Sequence, residues 1–193
     1  MASLYSMLGF PLADCEGEVY QKGMRFSLYF LFSGLLLAPW LMAATKVTEP
    51  PAKVRKELRL APFYKKHVDV GGFSIVSSEK VSNYALLEAA YLINQMLEGR
   101  EDLLKAMAKN KVRFSVMAHN EYTTQIPEHS DLQPRLYWNR RARGLGATPY
   151  RPAVSCGEEN LLLYPNDPYS TENILIHEFA HAVHKMGLSE TDP

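Results

Sequence analysis

Apolar and polar positions along the chain fall into segments of helical and of strand period. Leu175, Phe179, Ala182, Val183 and Met186 recur every three or four residues, so at about 100° per residue they form one stripe of a helix beginning at Ile174. Ile174, Ile176 and Ala180 add apolar positions around the cylinder, which predicts a buried helix. The stretch Ser82 to Glu98 carries Leu86, Leu87, Ala90, Ile93, Asn94 and Leu97 on the helical period and stops at Gly99. Glu101 to Lys109 reads as a second short helix with Leu104 and Ala108 inward. Val112 to Ala118 alternates and predicts a strand, as does Phe73 to Val76 after the Gly71-Gly72 turn. Leu161-Leu162-Leu163, within Glu159 to Tyr164, predicts a buried or edge strand. Pro165 to Pro168 then turns the chain into the last helix, with Asp167 or Ser170 as its cap. Between strand and turn, His119 to Pro152 is long, polar and aromatic, and reads as a functional or mobile loop.

The order strand, helix, helix, strand, long loop, strand, helix is that of an α+β domain. Composition changes this picture little. The chain has 193 residues, 47% hydrophobic, with zero formal net charge. That is enough for one domain with a real core, and the neutral balance gives no support to nucleic-acid binding. Cys15 and Cys156 are too few for a disulfide framework.

The N-terminal part changes it more. Residues 24–44 read as a signal peptide: Arg25 follows Met24, an apolar run spans Leu28 to Leu37, and Ala43-Ala44 suits cleavage. The alternative is an uncleaved membrane anchor over residues 26–44, which would make the protein membrane-bound. Residues 1–23 are an odd leader for such a signal and read as a mis-assigned gene start. Residues 45–62, with Pro50, Pro51 and several basic residues, read as a linker, and residues 63–193 as the domain proper.

The chemistry lies in the last helix. His177-Glu178-Phe179-Ala180-His181 matches H-E-x-x-H. Histidines four apart on a helix share a face one turn apart and can converge on one tetrahedral zinc ion. Glu178 projects beside such a metal, where a carboxylate can take a proton from a bound water. A histidine stripe on an apolar helix needs a partner to satisfy it, and a metal is one.

This helix resembles the active-site helix of the zincin metallopeptidases. The metzincin continuation is absent, because His184 and Gly187 stand where that branch has Gly and His. The resemblance is therefore gluzincin-like, and HEFAHAVH is also similar to the helix of bacterial toxin zincins. From about Phe63 to Leu188 the chain resembles secreted bacterial proteins carrying a metallopeptidase domain. The resemblance implies the N-terminal half of a zincin fold: a mixed sheet, a backing helix and the zinc helix. It implies an exported zinc peptidase acting on peptides or proteins, with Zn2+ on His177 and His181 and Glu178 as general base. In gluzincins a glutamate from a later helix completes the metal shell. A catalytic zinc needs three protein ligands, so the reading frame is expected to continue beyond Pro193.

Other residues are weaker candidates. His184 shares the histidine face but sits about 10 Å along the axis from His177, too far for one ion, and suits a cleft-lining role. His67, His119 and His129 lie in loop-like segments and read as solvated. Glu158, Glu159 and Glu172 read as strand-end or first-turn carboxylates. Arg140, Arg141 and Arg143 read as a solvated basic loop, or else as binders of a substrate carboxylate. Tyr122, Tyr137 or Tyr150 could donate to an oxyanion.

Overall fold

The structure, a computed structural model, describes residues 45–188. The leader and signal readings for residues 1–23 and 24–44 lie outside this range. Among the described residues no helix is long and apolar enough to cross a membrane.

The chain folds as α+β around a mixed five-stranded sheet, with six α-helical segments among the described residues. Helix α1 (Ala52–Leu58) leads into strand β1 (Lys66–Val70), which returns through Gly71-Gly72 as β2 (Phe73–Ser77). Both glycines have positive φ, 57° and 90°, a conformation that side chains with a Cβ rarely adopt. Helices α2 (Asn83–Met96) and α3 (Glu101–Lys109) follow, then β3 (Arg113–Met117). Two 3-10 turns, Thr123–Gln125 and Pro127–His129, lead to α4 (Arg135–Arg141) and the two-residue strand β4 (Gly144–Leu145). Strand β5 (Ala153–Gly157), the short α5 (Glu158–Leu161), α6 (Ile174–Ala182) and a π-helical turn, Val183–Gly187, complete the order.

The strands run β1-β2-β3-β5-β4. β2, β3 and β5 are parallel, and β1 and β4 are antiparallel to their neighbours. Period-2 alternation separates the faces. In register, Val68, Ile75, Phe114 and Val154 form one row, joined by Val70, Phe73, Val116 and Cys156 in a single apolar cluster. Leu86, Ile93, Leu104, Met107, Leu175 and Phe179 from α2, α3 and α6 belong to the same cluster. Burial here pushes the Cys156 thiol pKa up, as expected for a thiol in apolar surroundings.

The row on the other face is His67, Val76, Ser115 and Ser155. Much of its partnering comes from the region after β3. His129 Nε2 lies 3.1 Å from Ser155 Oγ. Arg113 and Glu128 form an ion pair with side chains only 8% and 7% exposed, and the Tyr64 hydroxyl donates to the same carboxylate. Burial, then the Glu128 charge, hold the Tyr64 phenol pKa well above its ordinary value.

Helices α2 and α3 lie where the hydrophobic period puts them, and Ser82 caps α2 by accepting from the Tyr84 amide. Four expectations differ. Residues 45–62 are not simply a linker: they hold α1, pair through Thr48 with His67, and bury Leu58 and Leu60 with Tyr64 and Val76. The apolar pair Val54 and Leu58, one turn apart, was masked by prolines and basic residues. The third strand of the prediction is displaced. Leu161-Leu162-Leu163 ends α5 and turns outward, with Leu163 at positive φ and 79% exposed. The strand is Ala153–Gly157, whose five residues are all buried. A strand covered on both faces needs no polar alternation, and its small residues carry little period signal. The stretch His119 to Pro152 is not one loop but two 3-10 turns, α4 and β4. His67 and His129 are buried rather than solvated, at 4% and 1% exposure, because one sits in a strand and the other under the sheet.

Candidate functional site

Helix α6 starts at neither Asp167 nor Ser170. Its cap is Asn173, whose side chain accepts from the Ile176 amide at 3.0 Å. The approach is held by Asn160, 2% exposed. Its Nδ2 donates to Asp167 Oδ2, Tyr169 O and Glu172 O at 2.7, 3.2 and 2.9 Å, and its Oδ1 accepts from the Ile174 amide at 2.8 Å. One buried amide thus ties the turn after α5 to the first residue of α6. No sequence pattern marked Asn160, since its partners lie 7 to 14 residues away, all but Ile174 outside any helix or strand.

Leu175, Phe179 and Ala182 are fully buried. The Phe179 ring meets Phe73 and Phe114 edge-on, with centroids 5.7 and 6.4 Å away. This contact fixes the rotation of the helix and so the direction of its other face. That face carries His177 and His181, both exposed, with ring centroids 4.9 Å apart and planes at 72°. Ile176 and Ala180 are exposed with them, so α6 is half-buried among the described residues and not buried all round.

Glu178 is half-buried beside the histidines. The edge strand β4 runs next to it, an approach that glycines permit. A Cβ at Gly146 would lie 3.2 Å from Glu178 Oε2 and 3.5 Å from His181 Cβ. A Cβ at Gly144 would collide with Ile174 Cγ2 at 2.2 Å and Ser155 O at 2.7 Å. Glu178, Leu145, Arg141, Tyr169, Glu172 and Ile174 line a cleft of about 220 Å3. Gly144-Leu145-Gly146 is the element of this site that the sequence reading passed over; two glycines flanking one apolar residue are a signal of close backbone approach.

Two imidazoles on one tetrahedral zinc have zinc–nitrogen distances of about 2.0–2.1 Å, and ring centroids 4.9 Å apart are of that scale. They supply two donors. Among the described residues no three His, Cys, Asp or Glu side chains form a ligand group, and His184, exposed on the π-helical turn, does not complete one. Nor does any hydrogen bond among the described residues orient either ring, as metal-ligating histidines usually require.

The remaining candidates lie elsewhere. Arg143 is not a solvated loop cation: it forks onto Glu159, and the two side chains are 12% and 7% exposed. Glu158 and Glu159 follow the end of β5 directly as the first turn of α5, and both are buried. Glu158 accepts from the Ser82 and His119 amides at 2.7 and 3.0 Å and meets the His119 ring at 3.0 Å. Arg140 and Arg141 are exposed on α4. Tyr122, Tyr137 and Tyr150 are 55%, 52% and 92% exposed, and none lines the Glu178 cleft. Tyr169 does, but its hydroxyl is committed to Arg141 O. The chain matches no family model, no curated protein and no solved structure.

Proposed function

We propose that this protein is an exported zinc-dependent peptidase of zincin type, with His177 and His181 as metal ligands and Glu178 as general base. The observation that carries the reading is the triple juxtaposition on α6: two imidazoles 4.9 Å apart, a half-buried carboxylate between them in sequence, and a sheet edge alongside. Bound zinc would supply the Lewis acidity that lowers the pKa of a coordinated water to about 7. Glu178 would take that water's proton and return it to the leaving amine. The free side of β4 offers backbone groups against which an extended peptide can lie. This assigns the substrate-pairing role to Gly144–Leu145. Cleavage of the residue 24–44 signal would deliver the protein outside the cytoplasm; retention would leave it on the membrane.

A second reading, a zincin-like binding module without hydrolysis, is favoured by one observation. No third metal donor joins His177 and His181 among the described residues. One experiment separates the two. The natural gene product, produced with zinc, is assayed for metal content and for cleavage of a mixed peptide library, beside Glu178→Gln and His181→Ala. The peptidase reading expects about one zinc per chain and a loss of about 10²- to 10⁴-fold in turnover for Glu178→Gln with zinc retained. It also expects zinc loss in His181→Ala. Zinc without cleavage selects the binding module. Near-normal turnover by Glu178→Gln would remove Glu178 as the base.

A further inference from the structure

A second, larger cavity of about 500 Å3 shares Arg143 with the Glu178 cleft and is within the usual range for small-ligand sites. His119, Glu121, Tyr122, Asn139, Tyr164 and Asn166 contribute to its wall. Glu121 is the telling residue. It is 4% exposed, and its Oε2 accepts from the Ala118 amide at 2.9 Å. Its Oε1 accepts no hydrogen bond among the described residues and is not among their buried orphan atoms, so it stays open to a ligand in the cavity.

The charges around it are unbalanced. Arg143 is the one Arg or Lys side chain of the wall, and the Glu159 fork neutralises it. Glu121 is left over, with Glu158 behind His119. Besides partial desolvation, the Glu158 and Glu159 carboxylates raise the Tyr164 phenol pKa above its ordinary value, a sign of negative potential there. A metal ion suits the cavity poorly. Both oxygens of Glu158 and of Glu159 are already engaged, and no three donors form a group among the described residues. An organic cation suits it better. It needs one carboxylate oxygen for a charge-assisted bond and aromatic surface for its body. Tyr122, 55% exposed, and Tyr164 offer that surface. The Asn139 side chain accepts from the Thr124 amide through Oδ1 and so keeps its Nδ2 for other acceptors.

We propose that this cavity binds an organic cation, a guanidinium or ammonium group, on the free oxygen of Glu121 between tyrosines 122 and 164. The cation can be a free small molecule or a basic side chain of a peptide. The site is independent of the zinc reading.

The test is titration of the full chain by heteronuclear NMR with agmatine and, separately, with the peptide acetyl-Ala-Arg-Ala-amide. Saturable shifts at residues 119–122 and 164–166, unchanged by EDTA, are expected. Saturation by agmatine marks a free cation as ligand, and saturation by the peptide alone marks a basic side chain. Glu121→Gln keeps the acceptor for the Ala118 amide and removes the charge. It should weaken binding about tenfold or more. Tyr122→Ala removes an exposed ring and should weaken it about two- to fivefold. If Glu121→Gln does not fold, Tyr122→Ala decides. No saturation by either probe overturns the proposal, as does unchanged affinity in folded Glu121→Gln or, failing that variant, in Tyr122→Ala.

Discussion

On one face of the sheet, Val68, Ile75, Phe114 and Val154 join Leu86, Leu104 and Phe179 in a continuous apolar cluster. On the other, Arg113 pairs with Glu128, His129 with Ser155, and Tyr64 with Glu128, under chain that returns across the sheet after β3. The first face is held by area removed from water, a non-directional effect that tolerates changes of shape. The second is held by matched polar pairs, and each leaves a costly orphan if one partner is lost. The α6 site depends on the apolar face, because Phe179 anchors the helix there and so turns His177 and His181 outward.

The largest expected effect is on the polar face. Arg113→Met leaves Glu128 buried without its cation and should cost about 3–5 kcal/mol of unfolding free energy in a urea titration. The triple change Arg113→Met, Glu128→Leu, Tyr64→Phe should recover most of that loss, since no buried charge is then orphaned. Equal losses in the single and triple variants would show that the pairs hold this face by more than mutual satisfaction.

Acid should act through the same face. Burial lowers the His129 pKa to about 4, so the ring is neutral in the fold at neutral pH. Between that value and an unfolded pKa of about 6.5, the unfolded chain binds a proton that the folded chain does not. Stability should therefore fall as pH drops through this window, by about 3 kcal/mol at most from this group. In His129→Gln the slope between pH 6.5 and 4 should flatten; an unchanged slope would assign the acid sensitivity elsewhere.

The apolar face should answer more mildly to conservative change. Phe179→Leu is expected to cost about 1–2 kcal/mol, with Phe179→Ala at about 3–5 kcal/mol. A Leu variant as unstable as the Ala variant would mean that the edge-on ring contacts, not burial, hold α6. The smallest effect on stability is expected at the site itself. Gly146→Ala should change the unfolding midpoint little yet lower the turnover of the proposed peptidase, because the new methyl presses on Glu178 Oε2. Loss of stability without loss of turnover would separate β4 from the proposed chemistry.

Legibility in the sequence followed the same division. The stripes of α2 and α6 were readable because the helical period is carried by large apolar residues. The start of α6 was not, because Asn173 is one of several capping residues in that stretch and Asn160, which holds it, acts from 14 residues away. The polar face was the least readable. His67, His129 and Arg143 look like solvated residues, and Glu159 like a strand-end carboxylate, until the partner that buries each is known.

The sequence by itself determined the α+β class, the main helices and the H-E-x-x-H spacing that sets His177 and His181 on one face. Those depend on local period, which backbone geometry reads directly from neighbouring residues. Only the tertiary structure decided that β5 is Ala153–Gly157, that β4 passes beside Glu178, and that the 4% exposed Glu121 lines a cavity. Strand pairing, close approach and the desolvation of a charge are relations between distant residues, and they exist once the chain has brought those residues together.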